Sequence, residues 1–264
     1  MEFLIASPLW LVGAPLLALL TLVSMTGPLL VRHWVPLERL RSNNEVAGFK
    51  FAVVGVLYAV LLAFAVIVVW EKFAEADNNV AREAGAAVTI YRLAEGVGGE
   101  PGAALHDAIG AYLRSAIEED WPAMGQGHES PATTAALDQV YAALLRFQPA
   151  DDRAQAVMAE VLNQLDQVSK ARRARLVMVA GIVPDIVWVV LVFGALVTIG
   201  FTFFFGASNL RAQSVMTGAL ASLIFASLLI IIAIDQPFTG TVEVEPDALA
   251  AVLQDFGGRA PPAR

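Results

Sequence analysis

The sequence predicts an all-α membrane protein: four transmembrane helices with a helical aqueous domain inserted between spans 2 and 3, both spans continuing into it as long helices. Three observations carry this reading. Four apolar runs are each long enough, at about 20 residues or more, to cross a bilayer's hydrocarbon core. The stretch between the second and third runs is charged, with apolar residues at helical spacing. The second run, VAGFKFAVVGVLYAVLLAFAVIVVW (46–70), passes through Trp70 into EKFAEADNNVAREAGAAVTIYRLAEGV, which turns charged while staying helical in character. Composition agrees: 57% of residues are hydrophobic and 16% charged, against about a quarter charged in soluble domains.

The first span covers residues 8–31. A cleaved signal peptide would need a basic n-region and a short apolar core. Glu2 is acidic and the run to Val31 is too long, so we read a retained span. The second span, 46–70, is broken only by Lys50. The third covers 186–205. LVMVAGIV (176–183) before it is also apolar, but Pro184 and Asp185 interrupt the run. The fourth covers 214–234, and a polar C-terminal tail (235–264) follows. Trp10, Trp70 and Trp188 fall at span ends that four crossings put on one side, and Trp34 falls on the other, as aromatic belts do.

The helical aqueous domain, 71–175, contains amphipathic stretches at 103–119, 131–147 and 153–169. Turn-rich segments separate them: GVGGEPG (96–102), DWPAMGQGHESP (120–131) and QPADD (148–152). The one strand candidate is a short hairpin at 239–246. Four crossings put the domain and the tail on one face and the loops 32–45 and 206–213 on the other. Those short loops carry Arg32, Arg39, Arg41 and Arg211 against Glu38 and Glu45, which places them in the cytoplasm and the helical domain outside. KARRAR (170–175) pulls the other way.

Several function classes fall away. With no cysteine there is no disulfide, thiolate metal site or thiol nucleophile. A net charge of −8 offers nucleic acid no basic footprint. Three histidines and no paired carboxylates within a span leave little for acid–base chemistry, so we expect neither an enzyme nor a cofactor.

The segments NEVAGFKFAVVGVLYAVLLAF (44–64), VWEKF (69–73), REAGAAVTIYR (82–92) and DQPFTG (235–240) resemble the bestrophin-like domain family of bacterial four-span membrane proteins. The resemblance covers nearly the whole chain. A more distant similarity connects it to the bestrophins, pentameric anion channels whose second span lines the pore with apolar side chains and runs into a cytosolic domain. The resemblance implies a multi-pass protein of a bacterial inner membrane and a homo-oligomer, a pentamer by analogy. It also implies inorganic ions, chloride among them, as the permeating species. The cytosolic domain it implies is opposite to the orientation read from charge. This chain also departs from the channels at the span's exit, where AVIVV (65–69) is wholly apolar and Lys72 is the first base.

Candidate residues each carry two readings. Leu57, Leu61, Phe64 and Val68 form one stripe on the second span, either a pore lining that gates by dewetting or plain helix packing and lipid contact. Lys50 either attracts anions at a pore mouth or snorkels to the interface. Asp185 is either an ion-binding carboxylate or an acid in a helix's first turn after Pro184. Glu71, with Glu75 and Asp77, flanks the membrane exit, concentrating cations or pairing with Lys72 and the 170–175 cluster. Glu118, Glu119, Asp120, His128 and Glu129 are metal-capable but match no recognised site. Two functions remain: an oligomeric ion channel with span 2 along the pore, or a non-conducting sensor acting through the helical domain.

Overall fold

The computed structural model describes residues 9–239 and 242–258, and no strand occurs among them. Its helices are α1 (Leu9–Trp34), α2 (Leu37–Ser42), α3 (Asn44–Val97), α4 (Gly99–Ser115), α5 (Trp121–Gly125), α6 (Pro131–Arg146), α7 (Asp152–Val177), α8 (Asp185–Thr202), α9 (Leu210–Ile234) and α10 (Asp247–Gly258). A π-helical turn, Ala116–Asp120, joins α4 to α5. Helices α1, α3, α8 and α9 are each long and apolar enough to span a membrane.

The chain divides into two compact units. Of the described residues, one takes 9–72, Gly181–Asp235 and Val242; the other takes Phe73–Ala180, Gln236–Thr239 and 243–258. In the first unit small residues set the packing. The Phe203 ring lies against Gly27, and the Tyr58 ring against Gly194. The hydroxyl of Tyr58 donates to the carbonyl of Leu191 (3.0 Å). Leucine, valine and phenylalanine side chains cover the outside of this unit. Such a surface suits hydrocarbon, where the helices satisfy their own backbone polar groups.

Helix α3 is 54 residues long without a break. Among its buried residues, Tyr58, Leu62, Val69, Ala76, Val80, Glu83, Ala87, Ile90 and Ala94 recur every third, fourth or seventh position along a seam of about ten turns, and Asn79, Ala84, Ala86 and Tyr91 widen the buried face in the second half. Below Lys72 the seam belongs to the membrane unit. From Ala76 on it belongs to the core of the second unit, with Ile109, Tyr112, Leu113, Val140 and Leu165.

The structure corrects the sequence reading at four places. Span 3 does not run into the second unit as one long helix. Helix α7 stops at Val177, a 3-10 turn covers Met178–Ala180, and α8 begins only at Asp185. Pro184 removes a donor and biases Val183 away from helix, and Gly181 takes a positive φ of 92°. The exposed amides are recovered by Asp235 at the end of α9, whose Oδ1 accepts from the N–H of Ile182 (3.0 Å) and of Val183 (2.7 Å). Second, the turn-rich segment at 96–102 is largely helical. The chain turns at Gly98 (φ 67°), and Pro101 sits in the first turn of α4, where its missing N–H costs nothing. Third, the loop at 120–131 holds the short helix α5. Fourth, the tail is not simply polar: α10 buries Leu249 and Phe256, seven positions apart on one face, in the core of the second unit. The expected hairpin at 239–246 lies partly outside the described residues, and its described part contains no strand.

Candidate functional site

On the face of α3 away from its buried seam, Leu57, Leu61, Phe64 and Val68 are 62%, 45%, 64% and 49% exposed. Lys50 and Glu71, also exposed, continue the same stripe, seven positions before Leu57 and three after Val68. From Lys50 to Glu71 the helix rises about 31 Å at 1.5 Å per residue, close to the roughly 30 Å of a hydrocarbon core. The stripe is therefore an apolar band of about one bilayer thickness, a cation at one end and an acid at the other. Asp185 lies elsewhere, exposed in the first turn of α8 behind Pro184, where its charge faces the positive end of the helix dipole.

The second unit contains a group of charges that sequence reasoning missed. Glu83 sits on the buried seam of α3 among alanines and has no exposed side-chain surface. Arg175, near the end of α7, donates to it twice, Nε to Oε2 at 3.1 Å and Nη2 to Oε1 at 3.0 Å. The hydroxyl of Tyr112 donates to Oε1 at 2.6 Å. Arg175 Nη2 also lies 3.3 Å from Asp120 Oδ2. One turn earlier on α7, Arg172 donates to both oxygens of Asp120, from Nε at 2.9 Å and Nη2 at 3.1 Å. The N–H of Ser130 adds a third bond to Asp120 (2.9 Å), and the Trp121 ring lies 4.5 Å from the Arg175 guanidinium carbon.

Two arginines and two carboxylates thus form a charge-balanced buried quartet. Burial pushes the Asp120 carboxyl up, but its bonds from Arg172 and Ser130 and the charge of Arg175 outweigh that and hold it below the ordinary carboxylate value. Burial pushes the Tyr112 phenol well above its ordinary value, and the adjacent Glu83 charge adds to the rise. Of the metal-capable residues, Glu119 accepts from the hydroxyl of Ser130 (3.4 Å). No group of three or more His, Asp or Glu suited to a metal occurs among the described residues. The quartet did leave a sequence signal. Glu83 is a charged residue on a largely apolar buried seam, four positions after the buried Asn79, and Arg172 and Arg175 share one helix face at i, i+3 spacing.

The DQPFTG segment has a structural explanation up to Thr239; Gly240 lies outside the described residues. Asp235 caps the break before α8. Phe238 is buried edge-on to Trp121, ring centroids 5.9 Å apart, and the Pro237 carbonyl accepts from the N–H of Val244 (2.7 Å).

The model of the Bestrophin-like domain matches residues 18–249. Three crystal structures of a bacterial bestrophin homolog from Klebsiella pneumoniae share this fold. The first, of a point-substituted form, has a TM-score of 0.68 at 14% identity, over 91% of this chain and 97% of that one. The second has a TM-score of 0.69 at 15% identity, over 92% and 99%. Another substituted form gives 0.70 at 15% identity, over 94% and 98%. No curated protein matches the chain.

Proposed function

The chain belongs to the bestrophin-like domain family, and from that premise we propose that it is an oligomeric anion channel whose second span lines the pore. The single observation that carries this is the exposed apolar band Leu57, Leu61, Phe64 and Val68, about 16 Å long on an unbroken helix, within a stripe that runs about one bilayer thickness from Lys50 to Glu71. Repeated around a symmetry axis, the band forms a hydrophobic constriction that closes by dewetting and conducts when it widens. Lys50 at one mouth favours anions. The solved relatives are bestrophin homologs by name, and a pentamer follows by analogy with the bestrophins. The lipid bilayer is the immediate surroundings, in a bacterial inner membrane. The count of arginines in the short loops favours a cytoplasmic location for them and an extracytoplasmic helical domain. Arg172 and Arg175 belong to the buried quartet, which accounts for their presence beside the third span without reference to topology.

Reconstitution of the purified protein in planar bilayers tests the channel. Chloride conductance is the expected result. Silence under varied salt and pH, or an oligomer with no second span along its axis, rejects it. One observation favours a non-conducting sensor instead: the stripe offers no ion ligand, and its far end carries the acid Glu71 rather than a base. A reporter fused after Arg264 reads the side of the tail and, by parity, of the helical domain.

A further inference from the structure

Within the membrane unit, at the end where the short loops turn, a cavity of about 700 Å³ opens between the start of α3, the end of α8 and the start of α9. This size lies within the range of small-molecule pockets. Its lining sorts by depth along the spans. Arg41, Asn44 and Asn209 stand at the span ends, while Phe51, Met216 and Leu220 stand one to three turns further in.

The walls are fixed. Asn44 Nδ2 donates to the carbonyl of Gly206 (3.1 Å) and its Oδ1 accepts the Gly206 N–H (2.8 Å). Gln213 Nε2 donates to the carbonyls of Phe205 (2.7 Å) and Thr202 (3.3 Å). The Phe51 ring packs on Phe205 and Phe201 at centroid distances of 5.6 and 5.9 Å. Gly206 permits the close approach, because a Cβ there would stand 2.6 Å from the backbone nitrogen of Arg41. These bonds occupy the side chains of Asn44 and Gln213 with backbone groups of the wall. Among the described residues the Arg41 side chain has no ion pair and no hydrogen bond.

An unpaired cation at the membrane boundary, above an apolar recess that follows the spans inward, is complementary to an anionic amphiphile. A guanidinium matches the oxygens of a phosphate. A soluble anion would leave the apolar recess empty, and a neutral apolar molecule would leave Arg41 unused. We propose that this cavity binds an anionic phospholipid, with its phosphate on Arg41 and an acyl chain along Phe51, Met216 and Leu220. The proposal does not depend on whether span 2 conducts.

Native mass spectrometry of the full chain in detergent tests it, with phosphatidylglycerol, phosphatidylcholine and inorganic phosphate as the probes. Phosphatidylglycerol should bind, with phosphatidylcholine weaker and phosphate alone not competing. Arg41→Ala should weaken phosphatidylglycerol by about tenfold, as loss of one charge-assisted contact does. Ala212→Trp, which fills the cavity from its wall, should abolish binding. Arg211→Ala, a neighbouring cation outside the lining, should leave it unchanged. The proposal is overturned if either cavity variant, folded by circular dichroism, keeps wild-type binding. It is equally overturned if Arg211→Ala loses as much as Arg41→Ala, if phosphate displaces the lipid, or if the two lipids bind alike.

Discussion

Replacing Glu83 by leucine should lower the melting temperature of the detergent-solubilised protein by about 10 °C. The carboxylate is wholly buried and accepts three bonds, two from Arg175 (3.1 and 3.0 Å) and one from Tyr112 (2.6 Å). Its removal strands the Arg175 guanidinium, also fully buried, with Asp120 as its one remaining anion at 3.3 Å. Breaking a buried pair from one side costs about 3–5 kcal/mol. A chain of this size shifts about 2–4 °C per kcal/mol, so the expected drop is roughly 6–20 °C. Removing both partners in Glu83→Leu/Arg175→Met leaves Asp120 and Arg172 as a balanced pair. The double variant should therefore recover at least half of the loss, and a double-mutant cycle would show strong coupling. Near-UV circular dichroism reports the melt, because Trp121 lies against the Arg175 guanidinium. A shift under about 2 °C for Glu83→Leu, or a double variant less stable than either single one, would refute the charge-balance reasoning.

Other outcomes follow from the same structure. Asp120 is held below its ordinary value in the fold, so its contribution is present above about pH 4, where the unfolded carboxyl ionises, and is lost as pH falls through the lower folded value. The melting temperature should decline below about pH 4, and Asp120→Asn should flatten that decline. Gly194→Ala puts a Cβ 2.5 Å from the Tyr58 ring; overpacking of this kind costs about 1–3 kcal/mol. Its melting temperature should fall, with recovery in Gly194→Ala/Tyr58→Val. Phe64→Ser, at an exposed position, should leave the melt within about 0.5 kcal/mol of wild type. In bilayers it should raise conductance if the stripe lines a pore; unchanged currents would place the stripe in lipid.

What the sequence disclosed follows from which force decides each feature. Spans are decided by hydropathy over about 20 residues, a local and additive property, so all four were visible, and so was the passage of span 2 into a charged helix. The interruption before α8 was half visible, because Pro184 and Asp185 announced it. The acceptor that makes it tolerable, Asp235, is 53 positions from Ile182 and cannot be inferred from either neighbourhood. The quartet was harder. Glu83, Tyr112, Asp120 and Arg175 come from separate elements, and Arg172 and Arg175 read equally well as topology signals in KARRAR. The tail misled because its acids dominate the composition, whereas Leu249, Val252, Leu253 and Phe256 at i, i+3, i+4, i+7 spacing are what bury α10. The stripe on α3 was fully legible as a pattern. What it faces depends on a second copy of the chain or on lipid, and neither is encoded in the spacing.

The bond from Asp235 back to Ile182 and Val183 also bears on biosynthesis. Those two amides precede the third membrane helix, and their acceptor is 53 and 52 residues further along the chain. At about 5–20 residues per second, the ribosome delivers Asp235 roughly 3–10 s after them. During that interval, the start of α8 must rely on water or on the translocation machinery for partners. The two last helices are therefore expected to settle as one hairpin, and a chain truncated before residue 235 should insert its third span poorly although every apolar residue of that span is present.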